Sequence, residues 1–131
     1  MKRRAIAPPS IFNSDPYGFS QGILAEGGKR ILFISGQLAA DKEGNFVGGT
    51  FREQCQMALD GIAAVLNESG MANQNVMKIT AYVTDMKGTI EEFTELTKQF
   101  FSDGFPASTL VETKGLAFPG QVVEIEAVAL G

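Results

Sequence analysis

The C-terminal stretch from Phe105 to Leu130 constrains the fold more than any other part of the sequence. Its last ten residues alternate with a period of two, which is typical of a β-strand. One face of this strand carries only Val, Ile and Ala, while the other carries Glu124 and Glu126 between apolar neighbours. Neither face is polar enough to lie fully in water. We therefore expect helices against one face and a partner surface or a binding site against the other.

Strand and helix patterns follow one another along the whole chain. Two T-x-x-E capping boxes predict helices that open at Thr50 and at Thr89, because this pattern satisfies free backbone N–H groups. Runs of β-branched, aromatic or alternating residues predict six strands, at Lys2–Ala7, Ser20–Ala25, Arg30–Ser35, Val76–Asp85, Ala107–Lys114 and Gln121–Leu130. The order is β-β-β-α-β-α-β-β. It indicates an α+β fold, a mixed β-sheet with two helices packed on one face.

The chain has 131 residues and no linker or internal repeat, so residues 1–131 are expected to form a single domain. The glycine pair Gly27-Gly28 predicts a hairpin between the second and third strands. No element remains to cover the second face of the sheet. Self-association through this open face, as a trimer or dimer, is therefore expected.

Composition excludes several classes of function. The chain has no histidine, which removes Ser-His-Asp and Cys-His machinery and histidine-ligated zinc. The one cysteine, Cys55, falls on the apolar stripe of the first helix and is expected to be a buried small hydrophobic residue. A net charge of −4 argues against nucleic acid as the main partner. No apolar run is long enough for a membrane span, and Pro8-Pro9 interrupts any signal sequence, so a cytoplasmic location is expected.

Three short motifs, taken together, resemble those of the RidA/YjgF family, the reactive intermediate deaminases that are also described as endoribonuclease L-PSP proteins. They are Ser35-Gly36-Gln37, Phe105-Pro106-Ala107 and the run from Val123 to Ala129. The resemblance covers essentially the whole chain. It implies a chorismate-mutase-like fold and a homotrimer with ligand clefts between subunits. It also implies hydrolysis of enamines and imines of 2-oxo acids to the keto acid and ammonia, with no cofactor and no metal.

The family motifs can be carried over position by position. Gly36 matches a glycine whose backbone lines the cleft, and Glu124 matches a glutamate that positions the attacking water. Ser108 stands where family members have an arginine that grips the substrate carboxylate. With Thr109 and Gly36, Ser108 is interpreted as a polar substrate-binding group suited to a carbonyl.

Two further positions of the family cleft also differ. Leu110 stands where the family has a cysteine. Phe19 stands at the position of a tyrosine, and Tyr17, two residues earlier, is an alternative for the same place. Lys114 or Arg52 could supply the lost positive charge, although each is also suited to a surface ion pair.

Three functions stay open from these residues. The first is an enzyme that adds water to an imine or enamine, with Glu124 managing the proton. The second is a non-catalytic trimer that binds or senses a small metabolite, because the carboxylate-binding arginine is replaced by Ser108. The third, RNA cleavage, is disfavoured by the absence of histidine and by the negative net charge.

Overall fold

The structure, a computed structural model, describes all residues from 1 to 131. It confirms the α+β class and the predicted order of elements. Two single-turn 3-10 helices lie at Asp15–Tyr17 and Asn73–Asn75. The main elements are β1 (Lys2–Ile6), β2 (Gly22–Glu26), β3 (Ile31–Gln37), α1 (Phe51–Glu68), β4 (Val76–Val83), α2 (Met86–Phe100), β5 (Ala107–Glu112) and β6 (Val123–Leu130).

Strand β6 lies inside a four-stranded sheet with the order β3-β6-β4-β5. It runs antiparallel to both neighbours, whereas β4 and β5 are parallel, so the sheet is mixed. Its alternating apolar residues Val123, Ile125, Ala127 and Ala129 are all buried in the core cluster, together with apolar residues of α1 and α2. The alternation in the sequence therefore identified the central strand and its core-facing side.

The predicted hairpin between the second and third strands is wrong. β2 pairs instead with β1, from Lys2 opposite Glu26 to Ile6 opposite Gly22, and the two form a separate ribbon. β3 pairs with β6, where Ile34 lies opposite Ala127. When β3 pairs with β6, its buried side continues the apolar core that β6 forms. β2 has no buried residue, so pairing with β2 would not extend the core.

The first helix begins as predicted and the second does not. Thr50 and Glu53 form a reciprocal capping box at the start of α1. α2 begins at Met86, one turn before Thr89, because the carboxylate of Asp85 already accepts the N–H of Gly88 at 3.1 Å. Asp85 caps the helix in place of Thr89, whose hydroxyl instead donates to the carbonyl of Asp85.

The sheet face opposite the helices is uncovered in a single chain. Ile31 and Phe33 of β3 are 62% and 76% exposed there. They lie opposite Leu130 and Val128 of β6, which extend the same apolar surface. We call this surface, formed by Ile31, Phe33, Val128 and Leu130, the open apolar face. Large exposed apolar surfaces of this kind usually mark contacts with another molecule.

Candidate functional site

A cavity of about 770 Å³ lies between α2, the edge strand β5 and the loop that precedes β2. It is lined mostly by apolar side chains and holds four of the predicted binding residues: Tyr17, Phe19, Ser108 and Leu110. Tyr17 and Phe19 both line it, although they were interpreted as alternatives for one place. The remaining lining residues are Phe12, Gly18, Ile90, Glu91, Phe93, Thr94 and Thr97.

The loop wall of the cavity is held in place by aromatic contacts and hydrogen bonds. The ring of Phe12 meets those of Tyr17 and Phe19 edge-to-face, with centroids 6.0 and 6.2 Å apart. Lys98 of α2 donates to the carbonyl of Pro16 at 2.6 Å, and Ser20 donates to the carbonyl of Phe105 at the same distance. These contacts fix the aromatic residues opposite β5.

The polar groups in the cavity are few. The hydroxyl of Thr97 is used within α2, where it donates to the carbonyl of Phe93 at 2.9 Å. The hydroxyls of Ser108 and Thr94 make no hydrogen bond within the chain and remain available to a ligand. The lining residues include no lysine or arginine. They do include one acidic residue, Glu91.

The two basic residues considered as replacements for the family arginine do not reach the cavity lining. Arg52 joins α1 to α2 through Glu92 at 3.1 Å and Glu95 at 2.9 Å. These contacts raise the pKa of Arg52, chiefly through the hydrogen bond to Glu95. Lys114 lies beyond the end of β5 and is exposed. The positive charge lost at Ser108 is therefore not restored by either residue.

Glu124 and Gly36 form a second group of predicted residues on neighbouring strands. The pairing of β3 with β6 shifts register between Ile34 and Gln37, so Ser35 and Gly36 form a β-bulge. The bulge brings the backbone of Gly36 against the side chain of Glu124. A Cβ atom at position 36 would overlap the Glu124 carboxylate. A larger residue at this position would therefore move the Glu124 carboxylate from the place where Gln121 holds it.

Gln121 orients the Glu124 carboxylate and was missed from the sequence. Its side chain is 3% exposed, and its amide N–H donates to Oε1 of Glu124 at 3.1 Å and to the carbonyl of Val123 at 3.3 Å. Its own oxygen accepts the N–H of Phe118 at 3.3 Å. The three contacts hold the amide in one orientation, so one carboxylate oxygen has a fixed donor.

Gln54 connects the segment before α1 to the segment before β6, and the sequence patterns did not identify it. It is 1% exposed and lies in the first turn of α1. Its amide donates to the carbonyls of Gly49 and Gly120, at 2.9 and 3.1 Å, and its oxygen accepts the N–H of Val122 at 3.0 Å. No sequence motif marks either glutamine. Gln54 depends on Gly120 and Val122, which only the fold brings near, whereas the partners of Gln121 lie within three residues of it.

Thr109 and Glu126 lie with Lys78 and Tyr82 on the face of the sheet that bears the open apolar face, which is also the face of Glu124. Lys78 donates to the hydroxyl of Thr109 at 2.6 Å, and Tyr82 donates to Glu126 at 3.0 Å. The contact with Glu126 raises the pKa of Tyr82. Thr109 and Ser108 project to opposite faces of β5, so they do not share one pocket within a chain.

The two groups of predicted residues also face opposite sides of the sheet. Ser108 lies beside the buried Ile79, on the helix side. Glu124 lies beside Tyr82, on the other side. A single chain therefore presents two separate half-sites: the cavity with Ser108, and the carboxylate of Glu124 with Gly36.

Cys55 takes no part in either half-site. It is fully buried in the core, as predicted, and burial raises the pKa of its thiol to about 12. Such a thiol stays protonated at neutral pH and is not a nucleophile.

No group of three or more cysteine, aspartate or glutamate side chains is arranged to hold a metal ion. Neither helix combines the length and the apolar character that crossing a membrane requires.

Several known proteins are similar to this chain in sequence. The family model described as Endoribonuclease L-PSP matches residues 14–131. A RutC family protein of Aquifex aeolicus is 36% identical over 115 residues, which are 86% of this chain and 87% of that protein. The 2-iminobutanoate/2-iminopropanoate deaminase of Bos taurus is 35% identical over 127 residues, covering 96% of this chain and 85% of the relative.

A solved structure has the same fold as this chain. The crystal structure of YyfB from Yersinia pestis, a Rid-family protein described as of unknown function, superposes with a TM-score of 0.91. It is 30% identical, and the match covers 99% of both chains. The sequence match to the family model and the structural match to a Rid-family protein therefore agree.

Proposed function

This chain belongs to the endoribonuclease L-PSP family, the RidA/YjgF family, and on that premise we propose that it binds a small metabolite in clefts between subunits and hydrolyses an imine or enamine there. The observation that carries the proposal is the Glu124 carboxylate, which lies against the Gly36 bulge and accepts a hydrogen bond from Gln121. Relatives named as imine deaminases support the same chemistry.

The proposed reaction needs one group that can take and return a proton. The oxygen of a water molecule bonds to the imine carbon while Glu124 takes a proton from that water. Glu124 gives that proton to the nitrogen, which completes the tetrahedral adduct. It then takes the proton of the new hydroxyl group and passes it to the amino nitrogen, so that the carbon–oxygen double bond forms as the carbon–nitrogen bond breaks. The products are a carbonyl compound and ammonia. A carboxylate with a fixed hydrogen-bond donor on one oxygen leaves the other oxygen free for this transfer.

The two half-sites support a cleft made by two subunits. Glu124 and the Ser108 cavity face opposite sides of the sheet within one chain, so a second copy is needed to bring a carboxylate to a cavity. The open apolar face provides a contact surface for that copy. We propose a homotrimer, as the family resemblance implies.

A charge in the open apolar face should prevent this assembly. The protein is expected to have a mass of about 42 kDa by light scattering, from three chains of 14.0 kDa. Phe33→Asp should give the mass of a single chain, because an unpaired carboxylate in an apolar contact is costly. Asn67→Asp, at an exposed position on the helix side, is the matched control and should leave the mass unchanged. A monomeric unaltered protein would contradict the proposal.

The function itself is tested with imines generated during the measurement. A dehydratase acting on serine or threonine releases 2-imino acids, and a flavin-dependent amine oxidase acting on benzylamine releases an N-unsubstituted imine without a carboxylate, so that hydrolysis of either yields ammonia. The protein is expected to accelerate ammonia release from at least one of these sources above the spontaneous rate. Absence of acceleration with both would favour the alternative, a non-catalytic metabolite-binding trimer, for which the replacement of the arginine by Ser108 is the supporting observation.

A further inference from the structure

We infer that the ligand of this cleft is an uncharged carbonyl or imine compound with an aromatic or branched apolar group, and not a carboxylate. The inference rests on the proposed function, since it names the substrate class for the same site. It is carried by the composition of the cavity, in which aromatic and aliphatic side chains surround a small number of free hydroxyl groups.

The apolar part of the ligand is indicated by the shape and lining of the cavity. Its volume of about 770 Å³, partly open to solvent in a single chain, has room for a ring-sized group. Phe12, Phe19 and Phe93 supply ring surfaces, and Ile90 and Leu110 supply aliphatic ones. Ile90 is 44% exposed in the chain, so a ligand that covers it removes apolar surface from water.

The absence of charge on the ligand is indicated by electrostatics. A carboxylate that leaves water needs a cationic partner or several donors, and no lysine or arginine lines the part of the cleft that one subunit provides. In the proposed assembly the neighbouring subunit brings the carboxylate of Glu124, which repels an anion. The ammonium of Lys98 is turned to the carbonyl of Pro16, and it is the aliphatic stem that underlies Gly18. Glu91 adds an acidic group on the helix wall, which disfavours an anion further.

The hydrogen-bonding part of the ligand is indicated by the unused hydroxyls. Ser108 and Thr94 have no partner within the chain and lie in the lining of the same cavity. Each hydroxyl can donate one hydrogen bond to a carbonyl oxygen or an imine nitrogen. The phenol of Tyr17, which also has no partner within the chain, adds a third donor of the same kind. Neutral donors suit a carbonyl oxygen or an imine nitrogen, whereas the full charge of a carboxylate would remain without a cation.

The test compares two probes that differ only in charge. Phenylacetone and phenylpyruvate share a benzyl ketone, and a methyl group in the first replaces the carboxylate of the second. Calorimetric titration of the intact protein should show phenylacetone binding at least tenfold tighter. NMR amide shifts are expected at Phe19 and Ser108, which locates the probe. Equal or tighter binding of phenylpyruvate, or no binding of either probe, would overturn the inference.

Substitutions give an independent readout. Ser108→Arg should move the preference at least tenfold towards phenylpyruvate, because a guanidinium pairs with a carboxylate. Gln99→Arg adds the same charge at an exposed position of α2 outside the lining and should leave the preference unchanged. An unchanged preference in a folded Ser108→Arg protein would contradict the inference. If that variant does not fold, the order measured for the unaltered protein decides by itself.

The binding preference and the proposed hydrolysis can be tested separately. Both probes are ketones, so their binding requires no hydrolysis. A protein that prefers phenylacetone but hydrolyses no imine would retain the inference and lose the enzymatic proposal. A protein that hydrolyses 2-imino acids and prefers phenylpyruvate would retain the enzymatic proposal and lose the inference.

Discussion

Glu124→Gln is expected to lower the rate of imine hydrolysis by about 10²–10⁴-fold, the usual contribution of a positioned general acid or base. The amide keeps the size of the side chain and can still contact Gln121, but it cannot take a proton from water. Ligand affinity should change much less than the rate, because the apolar contacts of the ligand come from the cavity of the neighbouring subunit and the amide keeps the size of the carboxylate. The measurement is initial-rate ammonia release together with probe binding.

Glu126→Gln is the matched control for this experiment. It removes a carboxylate from the same face of the same strand, two residues further along, where Tyr82 holds it. The rate should stay within about threefold of that of the unaltered protein, which corresponds to less than 1 kcal/mol in the barrier. Equal losses for the two variants would mean that negative charge on β6, and not proton transfer by Glu124, sustains the activity.

Gln54→Leu is expected to lower the free energy of unfolding by about 2–4 kcal/mol. The substitution keeps the bulk of the side chain but leaves the carbonyls of Gly49 and Gly120 and the N–H of Val122 without their partner. Each buried group left unsatisfied costs about 1–3 kcal/mol, and partial access of water to the glycine carbonyls reduces the total. The midpoint of thermal unfolding should fall by roughly 10 °C for a chain of this size.

Gln56→Leu, two residues along the same helix, is the control. Gln56 is exposed and bonds only to Asp60, one turn ahead, so its loss should change stability by less than about 0.5 kcal/mol. Both proteins must be compared at one concentration, since assembly would contribute to stability. A Gln54→Leu protein as stable as the Gln56→Leu protein would show that the loops do not depend on the buried amide.

Local patterns in the sequence predicted most of the elements. The alternation of β6 set its buried side, and the reciprocal pair Thr50 and Glu53 set the start of α1, because both depend on residues close together in the chain. The start of α2 was misplaced by one turn, since Asp85 and Thr89 are both acceptable caps and the sequence does not rank them.

Local patterns do not show which distant segments pair with each other. The glycine pair at Gly27-Gly28 is compatible with a hairpin, yet β3 gains more by joining β6, nearly a hundred residues away. Gln54 escaped notice for the same reason, because its partners Gly120 and Val122 lie 66 and 68 residues away. Gln121 bonds only to near neighbours in the chain, but its sequence does not show that its amide is buried. The motifs identified Glu124 and Gly36, while the bulge that brings them together appears only in the fold.

The separation of the two half-sites has a genetic consequence. In the proposed trimer, each cleft takes Glu124 from one subunit and the Ser108 cavity from its neighbour. A chain that is defective in Glu124 and a second chain that is defective in the cavity would then carry complementary lesions. When the two co-assemble, some clefts receive only intact halves, so a mixture of two inactive proteins regains part of the activity. Activity in such a protein would therefore depend on how intact and defective subunits are combined around each cleft, and not only on whether any single chain is intact.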